Sequence, residues 1–84
     1  GHGLKDIASP EGMLLSDELK RTVMAAIDSL PDDLKQAITL RELDGLGYEE
    51  IAITMDCPIG TVRSRIFRAR EAIDKAIQPL LEQH

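Results

Sequence analysis

The side chains best suited to chemistry in this sequence are concentrated between Cys57 and Arg70, in the segment CPIGTVRSRIFRAR. This segment holds four arginines, one serine, one threonine and one phenylalanine, and it holds no acidic residue. Arginine can form two hydrogen bonds with guanine, hydroxyl groups can bond bases or phosphates, and an apolar ring can contact the methyl group of thymine. These residue types predict contact with double-stranded DNA, provided that one surface presents them together.

A helix would bring these side chains to one surface. Apolar residues recur at spacings of three and four, which predicts a helix from about Pro58 to Ile77, and Pro79 should kink or end it. The apolar stripe should face the core and comprises Val62, Ile66, Ala69, Ile73 and Ile77. The opposite side should face solvent and carries Gly60, Thr61, Arg63, Ser64, Phe67, Arg68 and Glu71. Arg65 and Arg70 fall on the flanks, where arginines can bind phosphates.

Two helices are expected in the first half of the chain. The first spans roughly residues 10–29, with Ser9 as its N-cap and Pro10 at its first position. Its apolar stripe consists of Leu15, Leu19, Val23, Ala26, Ile27 and Leu30. Pro31 can start the second helix, at about 31–43, which places Asp32 and Asp33 at the positive end of its dipole. Gly45 is the expected C-cap.

A short third helix should run from Tyr48 to about Asp56, with Gly47 as its N-cap and a buried side made of Ile51, Ala52 and Met55. A tight turn at Cys57 and Pro58 then leads into the long fourth helix. This order is typical of a helix-turn-helix, in which the second helix enters the major groove of DNA. The predicted fold class is therefore all-α, a four-helix domain with a C-terminal helix-turn-helix.

The charge distribution agrees with a localised DNA contact. The 84 residues carry a net charge of −5. Residues 1–56 hold twelve acidic and five basic side chains, whereas residues 57–84 hold three acidic and five basic ones. DNA responds to the local potential of the docking face rather than to the total. With one Tyr, one Phe and no Trp, the chain lacks the aromatic platforms that single-strand binders use.

The stretch LPDDLKQAITLRELDGLGYEEIAITMDCPIGTVRSRIFRAREAI closely resembles region 4 of the extracytoplasmic-function sigma factors, and within them the sigma-E group of envelope-stress regulators. The resemblance covers about residues 9–82. It implies a region 4 domain over residues 9–84, behind a flexible tail or foreign remnant at residues 1–8. It also implies recognition of the promoter −35 element, resembling GGAACTT, as part of RNA polymerase holoenzyme during transcription initiation.

The resemblance further implies roles for individual residues. Those expected to face the bases are Arg63, Ser64, Phe67 and Arg68. Those expected to contact the DNA backbone are Arg41, Tyr48, Thr61, Arg65 and Arg70. Implied protein partners are the β flap tip of the polymerase core and an anti-sigma factor, in the cytoplasm and without a membrane contact. Gly47 departs from the family, which commonly has Ser at this cap.

Several simpler interpretations stay open for these residues. Phe67 could pack inward, Tyr48 could only complete the packing of its helix, and the exposed arginines could be merely solvated. Cys57 is best explained as a small buried turn residue, because His2 and His84 at the chain ends cannot complete a zinc site. We expect no metal, no cofactor and no catalytic activity. Candidates for a partner groove are Leu14, Met24, Leu40 and Met55, although ordinary core packing explains most of them.

Two other functional classes also stay open. A response-regulator output domain is likewise a four-helix helix-turn-helix, and it would act as a dimer on paired half-sites. Alternatively, the chain could act mainly by binding an anti-sigma factor or the polymerase flap, with little DNA binding of its own.

Overall fold

Four helices follow one another in the computed structural model, which describes the backbone of residues 10–83 and the side chains of residues 16–82. They are α1 (Pro10–Asp28), α2 (Asp32–Glu42), α3 (Tyr48–Met55) and α4 (Ile59–Gln83). No strand occurs in this part of the chain. The predicted all-α class, the number of helices and their order are therefore confirmed.

The ends of α1 and α2 lie close to the predicted positions. Pro31 is the N-cap of α2, with φ −54° and ψ 150°, rather than its first helical residue. Asp32 and Asp33 occupy the first turn as expected. The proposed cap Ser9 and the side chains of Leu14 and Leu15 lie outside the described residues.

Gly45 reverses the chain after α2. It has φ +72°, a left-handed conformation that glycine adopts without steric cost. The reversal allows the Leu46 amide to donate a 3.0 Å hydrogen bond to the carbonyl of Leu40. The helix itself ends earlier, with Leu43 as its C-cap. The prediction of Gly45 as the C-cap is therefore wrong, because Gly45 makes the turn two residues beyond the observed cap.

Both ends of α3 agree with the prediction. Gly47 is the N-cap in an extended conformation, and its amide donates a 3.1 Å hydrogen bond to Oε1 of Glu50. Because glycine has no side chain, only this half of a capping box can form. At the other end Asp56 is left-handed, with φ 52°, and the Cys57 amide bonds the carbonyl of Ala52 at 3.0 Å. These bonds form the tight turn that leads into α4.

The core is built around α4. The buried residues from the preceding segments are Leu30 before α2, Ala37 and Ile38 in α2, and Ile51 in α3. They pack with three residues of α4, namely Val62, Ile66 and Ala69, each at most 1% exposed. Ile73 is half-buried against the same cluster. The predicted inward stripe is confirmed, and it fixes the rotation of α4 about its own axis.

The predicted end of α4 near Ile77 is wrong. The helix continues through Pro79 to Gln83. A proline removes one backbone hydrogen bond, but its fixed φ is compatible with helical backbone, and Pro79 lies on an exposed position. The apolar stripe also continues with the half-buried Ile77 and Leu80, on a helix that packs against α1. Packing along this stripe can offset the missing bond.

Candidate nucleic-acid interface

One solvent-facing edge of α4 collects the four side chains that were predicted to face DNA bases. Arg63, Ser64, Phe67 and Arg68 are all exposed. We call these four residues the base-facing edge. They point away from the core because Val62, Ile66 and Ala69 hold the opposite side of the helix inside it.

Phe67 decides between two of the interpretations that the sequence left open. Its side chain is 66% exposed, so the alternative that it packs inward is wrong. Burial of this ring therefore contributes little to the stability of the free domain. Arg63 and Arg68, on either side of it in the sequence, take part in no ion pair within the described residues. Their charges are therefore available to a ligand.

The start of α4 adds an open backbone surface to this edge. A side chain built at Gly60 would meet nothing within 4 Å. Thr61 is half-buried, and its amide and that of Val62 donate to the carbonyl of Pro58 at 3.0 and 3.2 Å. Those two amides already have an acceptor. The start of α4 therefore offers a ligand close approach at Gly60 rather than a row of unbonded amides.

Arg65 is held between two other segments of the chain. Its Nε lies 3.6 Å from Oδ2 of Asp33 in the first turn of α2. Its Nη1 donates to the Sγ atom of Cys57 over 3.7 Å, and its side chain is only 26% exposed. The predicted flanking arginine is thus present at the flank, but it already has partners. Cys57 is half-buried and belongs to the turn, as predicted.

The other three residues predicted to contact the DNA backbone form a cluster where α2, α3 and α4 meet. The Arg41 guanidinium lies 5.1 Å from the centroid of the Tyr48 ring, and its Nη1 donates a 3.0 Å hydrogen bond to the carbonyl of Leu46. Arg70 donates a 2.6 Å hydrogen bond to Oε1 of Glu42. That bond is the main cause that raises the pKa of Arg70. Tyr48 is half-buried, so it contributes to both packing and the surface.

The sequence pattern does not predict that two acidic residues belong to the site. Asp33 and Glu42 pair with Arg65 and Arg70 from a different helix. Helical periodicity predicts only neighbours three or four residues apart in one helix. It does not predict contacts between residues of different helices. Asp33 also lies at the rim of the site, in a shallow depression lined by Asp33, Leu34, Gly60, Thr61, Ser64, Arg65 and Arg68.

A second surface, an apolar groove, lies between α1, α2 and α4. Among its lining residues, Met24 is 50% exposed and Leu43 is 62% exposed. Its apolar lining consists of Val23, Met24, Ile27, Ile38, Leu43 and Ile73. The charged residues that also line it are Glu42, Arg70 and Asp74. Of the predicted groove candidates, Met24 lies here. Leu40 and Met55 pack against the core instead.

Two other features are absent from the residues that the structure describes, a cluster of metal ligands and a membrane-spanning helix. Within residues described by the structure, no three potential metal-binding side chains come together. In the same part of the chain, none of the helices combines the length and the apolar character that crossing a membrane requires.

Comparison of the sequence with known proteins points to one family. The family profile described as "Sigma-70, region 4" matches residues 20–73. The ECF RNA polymerase sigma-E factors of Escherichia coli and Salmonella typhi are each 65% identical over 83 residues, which is 99% of this chain and 44% of theirs. The RNA polymerase sigma-H factor of Pseudomonas aeruginosa is 65% identical over 82 residues, 98% of this chain and 42% of its own. The chain thus spans less than half the length of these relatives.

Proposed function

We propose that this chain, which belongs to the sigma-70 region 4 family, binds double-stranded promoter DNA at the −35 element during transcription initiation. The observation that carries this proposal is the base-facing edge, whose four side chains share one exposed side of α4. Family membership argues against the response-regulator alternative. The proposed role is binding, with no catalytic step.

In this proposal the first turns of α4 enter the major groove. Arg63 and Arg68 would bond guanine, Ser64 would bond a base or phosphate, and Phe67 would contact thymine methyl groups. Gly60 would let the helix start approach closely, because nothing fills the space beside it. The rigid connection of α4 to the core keeps these side chains in one register.

The five residues proposed to contact the DNA backbone would act from around this helix: Arg41, Tyr48, Thr61, Arg65 and Arg70. The bonds that the three arginines make within the domain do not prevent such contacts, because a guanidinium has five N–H donors and can serve more than one acceptor. Arg70 keeps 49% of its side chain exposed. Phosphate contacts of this kind set the orientation of the domain on the duplex without reading sequence.

The apolar groove supports a proposal for the second partner, RNA polymerase core. We propose that it receives the flap tip of the polymerase β subunit. Met24 and Leu43 would supply apolar contact area that the free domain leaves in water. An anti-sigma factor would compete for region 4 and keep the chain from polymerase. We further propose that the chain acts in the cytoplasm, on promoters of envelope-stress genes.

The polymerase contact can be tested with one pair of variants. Leu43→Gln should strongly weaken binding to polymerase core and, because it adds no charge beside Arg70, should leave duplex affinity nearly unchanged. Leu81→Gln is the matched control, since Leu81 is 54% exposed but lies outside the groove. Equal loss of polymerase binding with both variants, or no loss with either, would contradict the assignment of the groove.

The DNA proposal is tested by titrating the chain with a GGAACTT duplex and with a scrambled duplex of equal composition. We expect tighter binding to the GGAACTT duplex, with a dissociation constant that rises steeply with salt. Equal affinity for the two duplexes would sink the claim that the chain reads sequence.

A further inference from the structure

Asp33 is the only acidic side chain among the residues that line the depression beside the base-facing edge. It belongs to the first turn of α2. All five residues of α4 that line the same depression belong to the surface that we propose meets DNA, namely Gly60, Thr61, Ser64, Arg65 and Arg68. A carboxylate is unexpected at that position, because it lies where DNA phosphates would approach.

The two carboxylate oxygens of Asp33 have different partners. Oδ1 accepts a 2.9 Å hydrogen bond from the Leu34 amide in its own helix. Oδ2 lies 3.6 Å from Nε of Arg65. The first contact fixes the direction of the side chain, and the second holds the arginine beside the turn, where Cys57 is its other partner.

The ion pair reduces the charge that Arg65 offers to DNA. Sequence-independent affinity for DNA grows with the number of phosphates that cations neutralise, as does its salt dependence. An arginine whose charge is balanced by a neighbouring carboxylate contributes less to loose binding. The same contact limits the directions in which Arg65 can reach a phosphate, and this favours a single register.

We propose that Asp33 is a specificity-determining residue, which restrains Arg65 and thereby weakens binding to DNA of the wrong sequence. This inference rests on the proposed function, since it concerns the same surface. Asp33 acts through Arg65 and is a positioning residue, with no base contact of its own.

The neighbouring Asp32 supplies a matched control. It is exposed in the same first turn of α2, but it takes part in no ion pair within the described residues and does not line the depression. Asp32→Asn and Asp33→Asn therefore make the same change in net charge, and each removes one carboxylate that interacts favourably with the helix dipole. Only Asp33→Asn removes the contact with Arg65.

The experiment measures affinity for the GGAACTT and scrambled duplexes across a salt series. Asp33→Asn should tighten binding to the scrambled duplex several-fold and make the slope of log affinity against log salt more negative by about one. Binding to the GGAACTT duplex should gain less, so the ratio of the two affinities falls. Asp32→Asn should change both affinities less and nearly equally. Identical behaviour of the two variants would overturn the proposal.

A double variant tests the route of the effect. In an Arg65→Ala background, Asp33→Asn and Asp32→Asn should have equal effects on scrambled-duplex binding, because the arginine that Asp33 restrains is gone. An excess effect of Asp33→Asn in that background would show direct repulsion of phosphate and overturn the route through Arg65.

A DNA-free measurement separates this inference from the proposed function. The Arg65 Nε–Hε resonance should shift in Asp33→Asn and stay in place in Asp32→Asn. An unmoved resonance overturns the inference even if the domain reads promoter DNA. Conversely, equal wild-type affinity for both duplexes sinks the proposed function, while the scrambled-duplex comparison still tests Asp33. Absence of duplex binding in both wild type and Asp33→Asn would overturn the inference as well.

Discussion

Arg70 in α4 donates a 2.6 Å hydrogen bond to the carboxylate of Glu42, the last residue of α2. The pair connects two helices whose residues are far apart in the sequence. Both side chains are 49% exposed, so solvent screens the interaction and its contribution to stability is at most about 1 kcal/mol. Its position matters more than its energy, because Arg70 and Glu42 both border the apolar groove.

Replacement of Glu42 by Gln should lower the free energy of unfolding by up to about 1 kcal/mol, since the charge partner of Arg70 is lost. Urea denaturation at low and high salt measures the change, which should shrink at high salt. The raised pKa of Arg70 adds no pH dependence near neutrality. A group whose pKa is raised in the folded state stabilises the fold fully below its unfolded-state pKa. For an arginine this contribution is lost only at a pH far above neutrality. Glu71→Gln, at an exposed position of α4, should change stability little; a comparable loss there would contradict the pairing.

Truncation of two isoleucines of α3 should change the stability of the domain by very different amounts. Ile51 is 0% exposed and Ile53 is 81% exposed. Ile51→Ala should cost about 2–5 kcal/mol through lost burial and the cavity left behind, a large part of the ~5–15 kcal/mol that holds a domain together. Ile53→Ala should be nearly neutral. Thermal unfolding followed by circular dichroism distinguishes them, and similar melting temperatures would refute the assignment of the core face of α3.

Glycine-to-alanine changes should have opposite signs at two positions. Gly60→Ala should stabilise the domain by about 0.4–1 kcal/mol, because alanine lowers the conformational entropy of the unfolded chain and the added methyl group meets nothing within 4 Å. Gly45→Ala should destabilise it by roughly 1–2 kcal/mol, since φ is +72° there. Chemical denaturation measures both.

The Gly60→Ala variant also tests the approach of DNA. Its duplex affinity should fall despite its greater stability, because the methyl group would stand between the helix start and DNA. Unchanged or tighter binding would show that DNA does not approach α4 at this point.

Arg68→Ala should weaken binding to the GGAACTT duplex by about 1–3 kcal/mol and relax base choice at one position. The expected cause is loss of a two-bond contact with guanine. Competition with duplexes altered at single positions measures the change. Arg21→Ala, an exposed arginine in α1, controls for net charge and should leave base preference intact. Equal weakening on every duplex would identify Arg68 as a phosphate contact instead.

Local pattern was sufficient for much of the fold and of the candidate site. The spacing of Val62, Ile66 and Ala69 predicted which side of α4 is buried, and so which side carries Arg63 and Phe67. This works because helical periodicity converts spacing along the chain directly into direction around an axis. Gly47 and the tight turn at Cys57 were predictable for a similar reason, since caps and turns depend on a few adjacent residues.

Only the tertiary structure decided the partners of the flanking arginines and the true length of α4. Asp33 and Glu42 meet Arg65 and Arg70 from another helix, and no local pattern encodes such a contact. Local pattern predicts that Pro79 kinks or ends α4, whereas in the structure the helix continues to Gln83. The base-facing edge was therefore determined by sequence periodicity. The charge that Arg65 and Arg70 can offer beside it depends on how the helices pack, because ion pairs form between side chains that are close in space rather than in sequence.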